Sequence, residues 1–519
     1  MNSTFNYGSD HLTIGVCLDI AAGKTKGVIN ADTDQAIRAS WGEVAKIVHA
    51  QIPVYGINTG FGPLCDTHIS EADTSLLQSN ILKSHSVGVG KPIPQEIAKL
   101  MLITKVHALA QGFSGVAPET LYRIIWHINN DIIPIVPEKG SVGASGDLAP
   151  LSHLFLPLIG LGEIYDRGER KPAREALRKH NQLPLVLGPK EGLALINGTQ
   201  FILAFAIKAV QRLDDALNRA DLIGAMSLEG LMGSTRPFDA RIHALRPFAG
   251  TQMVAKRLFT LLNGSGINTS HFNCDRVQDP YSLRCMPQVH GASRNAWLHL
   301  KQLTEIELNS VTDNPVIFSA DDTISGGNFH GQPLALPLDY ATVAAAELGN
   351  IADRRCYLMS EGRYGLPKLL THNAGLNSGL MIPQYTTAAL VTENKTLCFP
   401  ASADSVPTSL GQEDHVSMGS ISGRKLHMVI DNIEYIQAIE LLYASQAMDF
   451  RRPLLSTPVI EALHSYVRQH VPFIQDDRVF ADDISQLHQI ITDGSFLATA
   501  NDAAINNHIN LSHDEFGIY

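Results

Sequence analysis

Residues 337–359 read PLDYATVAAAELGNIADRRCYLM. Within them Leu338, Ala341, Ala345, Leu348, Ala352, Cys356 and Met359 recur at intervals of 3, 4, 3, 4, 4 and 3. That spacing sets the apolar side chains on one face of an α-helix. The face is rich in small residues, so a second helix can approach it closely. Glu347, Asp353, Arg354 and Arg355 fall off the stripe, and Pro337 reads as a residue near a helix start. Asp34 to Ala50 carries a second such face, with Ile37, Trp41, Val44 and Ile47/Val48. Leu426 to Phe450 is a third long candidate with few breakers. A long uncharged helical stretch, Gly192–Ile207, marks a domain boundary near residue 200. The expected division is residues 1–200 as an N-terminal domain and 201–519 as a central and C-terminal helical bundle. Alternating apolar/polar runs are few, so the expected fold is mainly α, a bundle of long helices.

Composition narrows the function. The chain has 519 residues, a formal charge of −11, 45% hydrophobic residues and only 18% charged ones. Average soluble proteins carry about 25% charged residues. The shortfall fits surface buried between subunits or a simple drift in composition. The acidic balance disfavours nucleic acid, whose phosphates call for a basic face. The uncharged stretch Leu369 to Thr392 is interrupted by His372, Asn373, Asn377, Pro383 and Gln384, which argues against a membrane span. No secretory signal is visible at the start of the sequence. Cys17, Cys65, Cys274, Cys285, Cys356 and Cys398 are scattered and form no CxxC pair. Free thiols in a reducing cytoplasm are the expectation.

Chemistry is sought in the Gly-rich loops between helices, at 55–63, 140–146, 264–266, 325–331 and 401–411. Gly23-Lys24-Thr25 ends like a phosphate-binding loop, but Leu18 stands where that loop requires glycine. Ser145 would sit in a nucleophile elbow only if residue 147 were glycine, and it is Asp147. The histidines are dispersed with no metal-ligand spacing, so no metal site is expected. The run Gly140-Ser141-Val142-Gly143-Ala144-Ser145-Gly146-Asp147 is different. Three glycines in seven residues permit a tight, strained backbone. Gly146 lacks a Cβ, so its amide nitrogen can approach the Ala144 carbonyl carbon. A plain Gly-rich turn before a buried helix is the competing reading.

Ala144-Ser145-Gly146 in this setting resembles the self-processed tripeptide of the aromatic amino acid ammonia-lyase and aminomutase family. Further segments carry the resemblance in order: Tyr55-Gly56-Ile57-Asn58-Thr59-Gly60-Phe61-Gly62, Asn197-Gly198-Thr199-Gln200, Gln278 to Cys285, Gly326 to Gly331 and Gln412 to Met418. The resemblance spans about Tyr55 to Pro453. It implies a fumarase/aspartase-like helical fold whose smaller N-terminal domain bears the tripeptide and the Tyr55 loop. It also implies a cytoplasmic homotetramer with active sites shared between subunits. The cofactor implied is 4-methylideneimidazol-5-one (MIO), an electrophile made by cyclising and dehydrating Ala144-Ser145-Gly146. By the same resemblance Tyr55 removes the substrate β-proton, and Tyr281 assists proton movement or amine departure. Asn197 hydrogen-bonds the MIO or the substrate amine. Arg284 holds the carboxylate, a role that suits a planar guanidinium. Gln278 and Phe329 line the pocket, and Asp147 braces the turn.

Two features bear on the substrate, an amino acid by resemblance. Ser84-His85-Ser86 is similar to the histidine-acting members, whose histidine contacts the substrate imidazole. Glu413 in Gln-Glu-Asp-His stands where phenylalanine- and tyrosine-acting relatives usually have Gln. A carboxylate can accept a hydrogen bond from imidazole but gains nothing beside a phenyl ring. Gly411, Met286, His290, Cys398 and Phe399 depart from the usual histidine-type pattern, and none of these changes removes a proposed catalytic group. The expected reaction is deamination of L-histidine to trans-urocanate and ammonia. The alternatives are a tyrosine or phenylalanine ammonia-lyase or aminomutase and, in another class, a non-catalytic helical scaffold.

Overall fold

Small residues at the stripe positions let the long helices pack closely. In the computed structural model, which describes residues 3–51, 53–273, 275–511 and 516–519, Gln332–Ser360 is one helix. Leu338, Ala341, Ala345, Leu348, Ala352, Cys356 and Met359 are all buried on it. It packs most extensively on Gly419–Asp449, which in turn packs on Gln200–Gly230. Met286–Leu308 and Met381–Leu397 complete the bundle. Each fully buried Leu or Ile in such a core contributes about 1.5–3 kcal/mol.

Four details differ from the sequence reading. Pro337 lies inside the helix, not at its start. Its ring nitrogen gives up one ladder hydrogen bond, to the carbonyl of Pro333, and the helix continues through it. Asp353 and Arg355 are buried despite lying off the stripe. The Arg355 guanidinium reaches both oxygens of buried Glu440, at 2.5 and 3.0 Å. Asp353 accepts from the Thr387 hydroxyl at 2.6 Å. These ion and hydrogen-bond partners come from other helices, so the charges enter the core paired.

The third difference concerns the helix Ala31–His49, capped by Asn30 accepting from the Thr33 amide at 2.8 Å. Its buried face runs through Thr33, Ile37, Ser40, Val44 and Ile47, and Trp41 is 41% exposed. Ser40 takes the inward place because its hydroxyl accepts from the Gly115 amide at 3.0 Å. Fourth, the stretch Gly192–Ile207 is not one helix. Glu191–Ile196 ends at Asn197, and a new helix starts at Gln200. Gly198 has φ +131°, and a Cβ there would lie 2.6 Å from Gln200 Oε1.

Strands are short and few. Ser3–Asn6 pairs in parallel with Thr25–Val28, and Ile132–Pro134, Glu163–Asp166 and Glu169–Pro172 form a small antiparallel sheet. Val89–Pro92 pairs with Pro137–Lys139, which delivers the chain into the 140–147 loop. One apolar core runs from Phe5 to Phe516. Among the described residues no helix is long and apolar enough to cross a membrane. Cys17, Cys65, Cys285, Cys356 and Cys398 are free thiols, and Cys274 lies outside the described residues.

Candidate active site

The 140–147 loop turns back on itself at Ser145. Ala144 and Gly146 bridge each other, and Gly146 also bridges Gly198. Gly146 has φ +74°, and a Cβ there would stand 2.1 Å from the Gly198 carbonyl oxygen. Only glycine therefore fits. The next residue locks the turn. The Asp147 amide donates to the Gly198 carbonyl at 2.7 Å, and its carboxyl accepts from the Ser141 hydroxyl and the Ile202 amide, both at 2.9 Å. Burial pushes the Asp147 carboxyl up to about 7, against the pull of those donors. Asp147 thus braces the turn.

The helix break at 197–199 supplies the other wall. Asn197 Nδ2 donates to the Ser145 carbonyl at 2.8 Å, while its Oδ1 is buried with no hydrogen-bond partner. From 268 residues away, Glu413 Oε1 accepts from the Ser145 hydroxyl at 2.5 Å. Glu413 Oε2 accepts from the hydroxyls of Thr408 and Ser409 at 2.9 and 3.0 Å. The Tyr55 hydroxyl accepts from the Gly62 amide at 3.1 Å. Burial raises the Tyr55 phenol, the Gly62 amide opposes that, and the Glu413 charge adds to the rise. His85 closes the Thr74–His85 helix, with Nδ1 3.0 Å from the Ser84 hydroxyl. Burial lowers its imidazole, and Glu413 raises it by a smaller amount. Tyr55, His85 and Ser145 thus all sense one carboxylate. Nearby, the rings of His330 and His415 stack at 5.7 Å, joining the 326–331 and 412–418 segments, and Phe329 is half-buried beside them.

Gln278, Tyr281 and Arg284 form a second group. Arg284 Nη2 donates to Gln278 Oε1 at 2.9 Å, and the guanidinium lies 4.6 Å from the centre of the Tyr281 ring. Arg284 and Gln278 border an open cavity of about 810 Å³ with Arg236, His271 and Arg276. Tyr281 is 70% exposed. Among the described residues no hydrogen bond or ion pair of the chain links this group to Ser145 or Glu413.

Some contributors were not singled out in the sequence. Gln78 ties the Tyr55 loop to the Glu191–Ile196 helix, donating to the Gly56 carbonyl and accepting from the Leu193 amide. Ser417 donates to the Gly143 carbonyl at 3.1 Å. Lys105, a lone cation in the apolar run Leu100–Leu109, is fully buried under the 197–199 break. That isolated charge was the readable signal. Of the departures from pattern, Met286 and His290 are bundle core, with His290 Nδ1 2.9 Å from Asp221. Phe399 is exposed.

The family model for aromatic amino acid lyases matches residues 12–469. The chain belongs to that family. It is 46% identical over 490 residues to the histidine ammonia-lyase of Symbiobacterium thermophilum, covering 94% of this chain and 96% of that one. It is 44% identical over 496 residues to the histidine ammonia-lyase of Myxococcus xanthus, covering 95% and 98%. Among solved structures, histidine ammonia-lyase from Trypanosoma cruzi superposes with a TM-score of 0.88 at 40% identity, over 96% and 95% of the two chains. Tyrosine aminomutase from Streptomyces globisporus gives 0.91 at 34% identity, over 97% and 99%. The long-helix bundle is therefore the fold of this lyase family.

Proposed function

We propose that this family member deaminates L-histidine to trans-urocanate and ammonia, using an MIO group formed from Ala144-Ser145-Gly146. The observation that carries the reading is the meeting of Asn197 and Glu413 on Ser145. The similarity to curated histidine ammonia-lyases supports it.

The residues fit the group. The turn brings Ala144 against Gly146, no Cβ obstructs closure, and the buried, unpartnered Asn197 Oδ1 is a spare acceptor. Asn197, Asp147 and Gly198 would hold it. Once formed, it supplies an electrophilic methylidene carbon for the substrate amine, which no ordinary side chain offers. The chain's own groups do the rest. Arg284, steadied by Gln278, binds the carboxylate as a bidentate donor. Burial lowers the His85 imidazole and so favours its neutral form, with Nδ1 on the Ser84 hydroxyl and Nε2 left to address the substrate ring. Glu413 accepts from the imidazole N–H. Tyr55 takes the β-proton. Its phenol is raised rather than lowered within one chain, and a cation beside it, the substrate ammonium or Arg284, would favour loss of its proton. Tyr281 assists proton movement as the amine departs, and Phe329 walls the pocket.

The 1–200 segment carries Tyr55, His85, Ser145 and Asn197, and the 201–519 bundle carries Tyr281, Arg284, Phe329 and Glu413. Arg284 and Ser145 meet if neighbouring subunits of a homotetramer complete each other's sites. The exposed apolar residues Leu336, Tyr340, Val343 and Tyr357 along the Gln332–Ser360 helix support such packing.

The likeness to tyrosine aminomutases favours a second reading, return of ammonia to the β-carbon of tyrosine. Glu413 rules out neither ring, since an imidazole N–H and a tyrosine hydroxyl can each donate to a carboxylate, and the similarity to curated histidine ammonia-lyases supports histidine. Incubation with L-histidine, L-tyrosine and L-phenylalanine, following the ultraviolet bands of the conjugated acids, tests the proposal. Histidine is the expected preference. A tyrosine preference overturns the specificity, and a β-amino acid product points to the mutase.

A further inference from the structure

Beneath the tripeptide lies a buried amine to which the proposed reaction assigns no part. Lys105 is 1% exposed on the helix Gln95–Leu109, among apolar neighbours. Its Nζ donates to the Asn197 carbonyl at 2.6 Å and lies 3.5 Å from Gln200 Oε1. The break at Asn197–Thr199 frees that carbonyl from the helical ladder. Burying an amine is costly unless its bonds are needed, and Met or Leu would fill the space without that cost. Burial brings the Lys105 amine down to about 7, Asp313 and Asp147 favour its charged form, and Lys190 opposes it. Lys190 is itself paired with Asp313 at 2.6 Å.

The same residue that Lys105 holds by its carbonyl holds Ser145 by its side chain. The next carbonyl, of Gly198, accepts from the Asp147 amide and presses where a Gly146 Cβ would be. We propose that Lys105 is a positioning residue for tripeptide closure, clamping the Asn197 carbonyl so that the 197–198 segment presses on the 144–147 turn. The proposal rests on the MIO reading. In closure the Gly146 nitrogen bonds to the Ala144 carbonyl carbon, whose oxygen leaves as water with the Gly146 and Ser145 amide hydrogens, and a C=N bond to the Ser145 nitrogen replaces the C=O. Ser145 loses its Cα hydrogen and β-hydroxyl as a second water. Lys105 touches none of these atoms. It keeps the nitrogen and carbon in register.

The test is intact mass of the assembled protein for wild type, Lys105→Met, Lys105→Arg and Lys105→Gln, with a melting curve for each. Wild type should be about 36 Da light, the mass of two waters. Lys105→Met should fold yet close about tenfold to a hundredfold more slowly. Arg or Gln, which still donate to a carbonyl, should recover part of the loss. Closure of Lys105→Met at the wild-type rate overturns the proposal. So does failure of all three variants to fold, which would make Lys105 a requirement of the fold itself. Wild type at full mass removes the MIO reading, and this proposal with it.

Discussion

The Ser145 hydroxyl and the Glu413 carboxylate meet at 2.5 Å across 268 residues of chain. The serine belongs to the N-terminal loop and the glutamate to the segment just before the Gly419–Asp449 helix. Under the proposed function, the group assigned to the substrate ring and the group assigned to dehydration share this one hydrogen bond.

Removing the hydroxyl separates fold from chemistry. Ser145→Ala deletes one half-buried donor and leaves the Asn197 and Asp147 braces in place. Activity should fall to background while the melting temperature stays close to wild type. Intact mass should show no loss of two waters. A variant that kept measurable deamination would contradict the assigned role.

Glu413→Gln keeps the shape and removes the charge. The Thr408 and Ser409 hydroxyls still find an acceptor in the amide oxygen. We expect kcat/KM for L-histidine to fall about tenfold to a hundredfold, the worth of a charged hydrogen bond. The ratio of histidine to tyrosine turnover should fall with it. An unchanged ratio would show that Glu413 does not select the ring.

A shared site predicts complementation. Arg284 and Ser145 lie in groups that no hydrogen bond joins within one chain among the described residues. Ser145→Ala and Arg284→Leu should each be inactive alone. Co-expressed, they should regain part of the activity, since some hybrid sites draw Ser145 and Arg284 from different wild-type segments. No recovery in verified mixed oligomers would place both residues in a site built from one chain.

Acid should destabilise the fold through buried histidines. Burial holds His127 at about 4, below its ordinary 6.5, with Nδ1–H donating to the Ile132 carbonyl at 2.9 Å. The unfolded chain binds the proton first as pH falls. The stability is therefore present above 6.5 and lost on the way down to about 4. His127→Asn keeps the donor and removes the titration. Between about pH 7 and about pH 4.5 its melting temperature should drop about 2 °C less than that of wild type. An equal drop would show that His127 carries none of the acid sensitivity.

The helices were legible because burial imposes a period that any long amphipathic helix must display. Leu338 to Met359 shows it without error. Local spacing cannot see a partner helix, and so it misread Trp41, whose inward place is taken by Ser40 bonded to Gly115. It likewise set Asp353 and Arg355 aside as polar, where Thr387 and Glu440 draw them into the core. Pro337 was read as lying near a helix start, and the helix begins five residues earlier, at Gln332, because packing carries it through the proline.

At the candidate site, Ala144-Ser145-Gly146, Tyr55, Asn197, Arg284 and Glu413 were singled out from the sequence by their resemblance to family segments. Their partnership was not. Lys105 under Asn197 and Glu413 on Ser145 come from segments 92 and 268 residues distant. The sequence by itself determined the helical periodicity, a local property of the chain, and through family resemblance it singled out the candidate groups. The tertiary structure alone decided which carbonyl meets which donor and which groups stay apart, because hydrogen bonds are fixed by distance in space and not along the chain.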